Sequence, residues 1–265
     1  MSSTTRRRIR RRYGATVPLA ALAALLSLIT SEAAAAQQRD PANPTCPLNP
    51  NWSSYARMRF TEREIGGRTI LLAEGQIDDE LIPRLEQALQ GFRGSEIWLR
   101  SPGGNALVAD RAGRLIRERN LATHIPEGWA CFSACTYMFI GGKDRSIEPG
   151  GLLIVNMFTF TADPALRRRI ADGEVGDALL TEIGRAAAQR ATEDNDFLIR
   201  MGVSRRFLTD IVYRQHAIPS ARDPSTRRCI TIAEARRYNV VNDRQPAADF
   251  MPPDASSRSP SPPGK

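Results

Sequence analysis

Ser133 lies in the run Gly128-Trp-Ala-Cys-Phe-Ser-Ala-Cys-Thr-Tyr-Met-Phe-Ile-Gly-Gly142, and upstream of it comes a second small-residue turn, Arg100-Ser-Pro-Gly-Gly104. A serine hydroxyl becomes a nucleophile once a base takes its proton, and acyl transfer also needs N–H donors aimed at the developing carbonyl anion. The two segments can supply those donors. Pro102 removes one N–H, while Gly103 and Gly104 let the backbone approach a ligand with N–H groups free. If Ser133 opens the apolar helix that follows, the amide of Ala134 is a first-turn donor without a helical partner. Ser133 is therefore the candidate nucleophile, and Gly103, Gly104 and Ala134 are the candidate oxyanion-hole residues. Each piece is unspecific alone. Pro-Gly-Gly occurs in many turns, and serine is a favoured helix N-cap, the plainer reading without further context.

The elements that must position these residues alternate. Residues 56–64 and 68–74 flank Gly66-Gly67 and read as a hairpin. Asp78 or Asp79 can cap a helix with Leu81, Leu85, Ala88, Leu89 and Phe92 on one face. Glu96 to Arg100 is a short strand that ends at the Pro-Gly-Gly turn. Ala106 to Arg119 is amphipathic, with Leu107, Ala112, Leu115 and Ile116 expected inward. Leu121 to Ile125 is a strand, Ser133 to Ile140 a buried helix, and Leu152 to Val155 a buried strand. Residues 163–213 are mostly helical, with breaks near Gly173 and Gly202. Strand and helix alternating through short links predict an α/β layered fold.

From Arg68 to Val241 the chain resembles the proteolytic subunit of Clp protease and, more broadly, the Clp protease/crotonase family. The resemblance rests on Gly75-Gln-Ile-Asp-Asp-Glu80, Ser101-Pro-Gly-Gly104, the Gly128–Gly142 run, Arg145-Ser-Ile-Glu-Pro149 and Ile230-Thr-Ile-Ala-Glu-Ala-Arg-Arg-Tyr-Asn-Val-Val241, in that order. It implies repeated β-α units in stacked parallel sheets with flanking helices. It puts Ser133 at the serine position and Gly103 or Gly104 with Ala134 at the oxyanion donors. The departures are as informative. Asn156 stands where the family's histidine is expected, and Thr226-Arg227-Arg228 occupies the place of its aspartate. An asparagine amide can hydrogen-bond a hydroxyl but does not act as a useful proton acceptor.

Other bases are few. The chain has two histidines, His124 and His216. His124 ends a strand ahead of the serine turn and reads as a partly buried rim residue. His216 lies in a loop without a match to the family motif and is the first alternative base. Lys143 and Lys265, the two lysines, fit no Ser-Lys dyad. Cys131 and Cys135 bracket Ser133 and are rival nucleophiles only if their pKa is lowered.

The 265 residues begin with six arginines in the first twelve, then an apolar stretch from Ala15 to Ile29, then Thr30 to Ala36 rich in small residues. That is the layout of a secretory signal peptide over residues 1–36, with an uncleaved N-terminal anchor as the alternative. Residues 37–55 read as a linker or arm, 56–245 as the folded domain, and 246–265 as a disordered Pro/Ser-rich tail. Without residues 1–36, six arginines and one glutamate are lost, and the net charge falls from +8 to +3. Nothing then argues for nucleic-acid binding. Export to a periplasmic or extracellular compartment makes disulfides the expected fate of Cys46, Cys131, Cys135 and Cys229. The pairing Cys131–Cys135 with Cys46–Cys229 is favoured over one joining Cys131 to Cys229. The chain lacks C-x-x-C and His spacing of the zinc type, so no metal or cofactor is expected.

Three activities compete. One is a serine hydrolase of peptides or small esters using an unconventional base. The second is a weak or inactive peptidase that binds extended peptides as an added strand. The third, a crotonase-like acyl-thioester enzyme, is disfavoured by export. The missing histidine favours the second. The resemblance also implies self-assembly into homo-oligomers, whereas export speaks against an ATPase partner.

Overall fold

A computed structural model describes residues 39–40, 43–156, 164–212 and 227–243. Five strands form the larger sheet: β3 (Arg59–Ile65), β4 (Arg68–Glu74), β5 (Glu96–Arg100), β6 (Ala122–Ile125) and β8 (Arg145–Ile147), in the order β3-β4-β5-β6-β8. β3 runs antiparallel as the first arm of the expected hairpin, and the rest are parallel. A smaller sheet orders β10 (Arg227–Cys229), β9 (Leu152–Asn156) and β7 (Ala130–Phe132). The N-terminal arm adds a two-stranded ribbon, β1 (Arg39–Asp40) with β2 (Asn43–Pro47).

Helices follow the parallel strands. They are α1 (Leu81–Leu89), α2 (Ala106–Glu118), α3 (Cys135–Gly141), α4 (Pro164–Ala171), the long α5 (Asp177–Arg200) and α6 (Ile232–Arg237), with a π-helical turn at Leu208–Val212. Repeated β-α units, two sheets with parallel strands and flanking helices are the arrangement that the family resemblance implies. One core joins Leu71, Ile97 and Leu99 of the sheet to Leu81, Leu85, Ala112, Ile116, Met138 and Phe139 of the helices. α2 and α3 touch where both lack side chains. A Cβ on Gly141 would lie 2.3 Å from the Gly113 carbonyl oxygen, so the helices can approach only with glycine there.

The two sheets meet at Ser101, immediately after β5. Its N–H donates to the Ala130 carbonyl (3.0 Å) and its carbonyl accepts from the Phe132 N–H (3.0 Å). The chain then bridges Ile77 at Gly104. This crossing carries the Pro-Gly-Gly turn onto the end of β7, where the Ser133 turn begins.

The N-terminal arm is stapled by the Cys46–Cys229 disulfide, and Cys131 pairs with Cys135. Cys46, Ala130, Ile154 and Cys229 form a small second core, closed by Trp52 stacked on Phe132 at 5.5 Å.

Several local expectations change. α1 is capped at Glu80 without a side-chain bond, while Asp78 accepts the Glu80 N–H (3.0 Å) in a turn before it. Leu107 is 55% exposed, because the buried stripe of α2 runs through Val108, Ala109, Ala112, Gly113 and Ile116. Asn105 sets that phase by accepting the N–H groups of Leu107 and Val108. Strands β7, β8 and β10 have three residues each, too few for alternation to show in sequence. Residues 1–38 and 244–265, which carry the expected signal segment and tail, lie outside the described residues.

Arg145 locks the C-terminal segment to this framework. Its side chain is buried and donates to the carbonyls of Val240, Gly142 and Asn239, each at 2.8 Å. Burial, and then the neighbouring Arg117 charge, lower its pKa to about 10, so it stays charged at neutral pH. Arg145→Leu leaves those acceptors unsatisfied, each at a cost of about 1–3 kcal/mol. The expected outcome is a loss of about 3 kcal/mol or more in stability, read as a shift in urea midpoint.

Candidate functional site

Ser133 departs from both sequence readings of its local role. It neither caps α3 nor opens it. Its φ is +55°, a left-handed conformation that few non-glycine residues adopt, and Ala134 takes the N-cap position without a side-chain bond. The turn is held from both ends. Ser133 N–H donates to the Ile154 carbonyl of β9 (2.9 Å), and its own carbonyl accepts from Thr136 N–H (2.9 Å). The Cys131–Cys135 disulfide ties the middle residue of β7 to the first residue of α3 and closes a loop around the serine. Strain of this kind is maintained only where the surroundings over-determine it, and it concentrates at functional turns.

The far end of α3 is fixed as firmly. Arg117 donates to the Gly141 carbonyl (2.9 Å) and the Gly142 carbonyl (2.7 Å), beside the Arg145 contact to Gly142. Thr123 Oγ1 donates to Phe139 (2.6 Å). Cations at a helix C-terminus complement its dipole and satisfy its last carbonyls.

The two candidate donors are distinguishable. Gly103 N–H is occupied by Ser101 Oγ at 3.1 Å. Gly104 has its neighbours bound to Ile77, since Ile77 N–H donates to Gly103 O and Asn105 N–H donates to Ile77 O, both at 2.8 Å. Alternation along an extended segment turns the Gly104 N–H to the opposite side, and no partner takes it among the described residues. The N–H of Ala134, a buried residue, also has no partner there. Gly103 instead supplies closeness. A Cβ on it would fall 2.7 Å from Phe132 O and 2.8 Å from Ser133 Cβ.

Ser133, Ala134 and Asn156 line one cleft with Ala106, Thr136, Tyr137, Ile140, Val155, Asp194, Leu198, Phe207, Leu208 and Val212. Its cavity volume is about 60 Å³, room for a small side chain or a few waters. Asn156 ends β9, and Arg227 is its cross-strand partner on β10. The two segments in which the resemblance leads one to expect the family's histidine and aspartate are thus paired across neighbouring strands. The Ser133 hydroxyl has no hydrogen-bond partner among the described residues.

Three lining groups went unread in the sequence. Thr136 Oγ1 is buried without a hydrogen-bond partner among the described residues. Tyr137 donates to Asp194 Oδ1 at 2.6 Å, and Arg190 pairs with the same carboxylate while its guanidinium lies 4.9 Å from the Tyr137 ring. Burial, and then the Asp194 charge, push the Tyr137 pKa far above the ordinary phenol range. Tyr137 therefore stays neutral and is no general base. Arg190 and Asp194 are spaced i,i+4 on α5, and only the fold brings Tyr137 to them.

His124 is not at this cleft. It sits on β6, with Nδ1 against Ser146 Oγ (2.6 Å) and Nε2 against Glu148 Oε1 (3.2 Å). Lys143 is exposed, and neither side chain lines the Ser133 cleft. His216 lies outside the described residues. All four cysteines are in disulfides, so neither Cys131 nor Cys135 offers a thiolate. Among the described residues no group of His, Cys, Asp and Glu is arranged to hold a metal ion, and no helix is long and apolar enough to cross a membrane.

Compared with solved structures, the chain is similar to a mutant of ClpP1 from Listeria monocytogenes, at 16% identity and a TM-score of 0.41. The match covers 65% of this chain and 88% of that one. No protein-family model and no curated protein matches the sequence.

The left-handed Ser133 gives a direct test of stored strain. A non-glycine residue there costs about 1–2 kcal/mol, part of which glycine recovers. Ser133→Gly is expected to raise stability by about 1 kcal/mol, and Ser133→Val to lower it, both measured by chemical denaturation.

Proposed function

We propose that the Ser133 cleft binds an extended peptide by one of its carbonyl groups and hydrolyses it weakly or not at all. The observation that carries this reading is the mismatch inside the cleft. Two amides have no partner among the described residues, Ala134 in the cleft lining and Gly104 in the Pro-Gly-Gly turn that packs beside it through Gly103, whereas the described lining residues include neither histidine nor lysine. The amides supply what a bound carbonyl needs. The Gly104 segment also offers its N–H as an edge strand does to an added strand. Val155, Ile140, Leu198, Phe207 and Leu208 give one peptide side chain an apolar seat, and Thr136 Oγ1 gives it a polar contact.

What the cleft lacks is proton transfer. General-base help is worth roughly 10²–10⁴-fold in rate. Asn156 cannot give it, and Arg227 opposite would repel an imidazolium where a carboxylate would steady it. The protein works in an oxidising compartment after export, a proposal supported by the two disulfides.

The left-handed serine favours a second reading, an active serine hydrolase of peptides or esters. Strained turns of that kind present nucleophiles. Its base would come from outside the described cleft, with His216 the first to test.

The two readings separate in turnover. On the first, wild-type protein hydrolyses generic peptide and ester substrates in the cleft at near-background rates, and Ser133→Ala lowers peptide turnover by less than about twofold. Asn156→His alone gains little, whereas Asn156→His with Arg227→Asp raises peptide turnover by about tenfold or more. Strong wild-type peptide hydrolysis that vanishes in Ser133→Ala, and again in His216→Ala, would establish the second reading instead.

A further inference from the structure

The one described histidine is built into a different serine centre. β5 alternates, with Ile97 and Leu99 fully buried toward the helices and Trp98 between them on the other face. Trp98 is the cross-strand partner of His124, and His124 that of Ser146, so the three form one row across β5, β6 and β8. β8 is the outer strand of its sheet, and Ser146 on it is half-buried.

The hydrogen bonds along this row have the order of a relay. Glu148 Oε2 accepts the Glu127 N–H at 2.8 Å, which steadies the carboxylate. Glu148 Oε1 lies 3.2 Å from His124 Nε2, and Ser146 Oγ lies 2.6 Å from His124 Nδ1. A proton on Nε2, donated to Glu148, leaves the Nδ1 lone pair facing the serine hydroxyl. The Trp98 ring lies 5.1 Å from the imidazole, with Trp129 edge-on to Trp98 at 6.4 Å, so one side of the row is an aromatic wall. None of Ser146, His124 and Glu148 lines the Ser133 cleft.

We propose that Ser146, His124 and Glu148 form a second serine centre that takes acyl groups from small activated esters. Ser146 is the nucleophile, His124 the base, and Glu148 the positioning residue that fixes the imidazole. In the first step the Ser146 Oγ–acyl carbon bond forms and the ester's C–O bond breaks. The hydroxyl proton passes to His124 Nδ1 and from there to the departing alcohol. Water then attacks the acyl-serine, His124 takes its proton and returns it to Ser146 Oγ, and the carboxylic acid leaves. The row lies on a sheet face instead of in a deep cleft. That fits a small acyl group with a good leaving alcohol, packed against Trp98, better than a peptide.

The test is site-resolved labelling of the full chain with a fluorophosphonate, whose P–F bond breaks as Ser Oγ–P forms and fluoride leaves. Tryptic cleavage at Lys143 and Arg145 puts Ser133 and Ser146 on different peptides. The expected adduct is on the Ser146 peptide and is lost in Ser146→Ala. His124→Gln lowers the labelling rate by about 10²-fold or more, and by the same factor the release of nitrophenol from nitrophenyl acetate. Glu148→Gln, at an exposed position, lowers both by about tenfold with unchanged thermal unfolding, and it carries the test if His124→Gln fails to fold. No adduct at Ser146 in folded protein, or a labelling rate indifferent to Glu148→Gln, would overturn the proposal.

Discussion

Helix α3 has a charged anchor at one end and a strained serine at the other. The anchor is a pair of guanidinium groups, half-buried Arg117 and buried Arg145, that converge on the last carbonyls of the helix. Two like charges held close together out of water are costly, and burial draws both pKa values down. The arrangement persists because each arginine satisfies several carbonyls that would otherwise be orphaned, and charge-assisted bonds of this type contribute about 1.5–3 kcal/mol each. Arg145 also reaches Val240 and Asn239, so the same group closes the C-terminal segment onto the sheet. A short helix of seven residues has little stability of its own and takes its position from these contacts.

With the far end fixed, the near end can hold an unfavourable conformation. Ser133 sits between β9, which receives its N–H, and the Pro-Gly-Gly turn, whose Gly103 leaves no space for a side chain. The disulfide across Cys131 and Cys135 encloses the same turn. The outcome is a cleft in which the Ala134 amide has no partner among the described residues, with Ile140, Val155, Leu198 and Phe207 as apolar lining. Binding a carbonyl there costs little reorganisation, which is what preorganisation contributes to affinity. The shape of the turn is held by backbone contacts at Ser133 and Gly103, and none of them runs through the side chains of Asn156 or Arg227.

Much of this was legible in the sequence and some was not, for definite reasons. The β3–β4 hairpin, α1, α2, β5 and β9 announce themselves by period and by their turns. The three-residue strands carry too little pattern, and two of them, β7 and β10, flank β9, whose end at Val155 and Asn156 lines the cleft. The Pro-Gly-Gly and Ser133 segments stand out by residue type, and the structure brings them together. Which glycine donates was not readable, because Ser101 Oγ takes one amide only after the chain has turned. The left-handed φ of Ser133 leaves no mark on residue type. Tyr137 is far in sequence from Arg190 and Asp194, and the three become a buried network only in the fold. His124 is a rim residue by sequence, and its bonds to Ser146 and Glu148 come from strand register.

The central claim is that Gly104 and Ala134 hold a peptide carbonyl at a serine without a working base. Titration of 15N-labelled protein with an unlabelled extended peptide, followed by amide chemical shifts, tests it most directly. The account expects the Gly104 and Ala134 amides to shift together and saturably while the peptide stays intact. Peptide binding that leaves both amides unmoved, or rapid cleavage of the peptide in the tube, would contradict it.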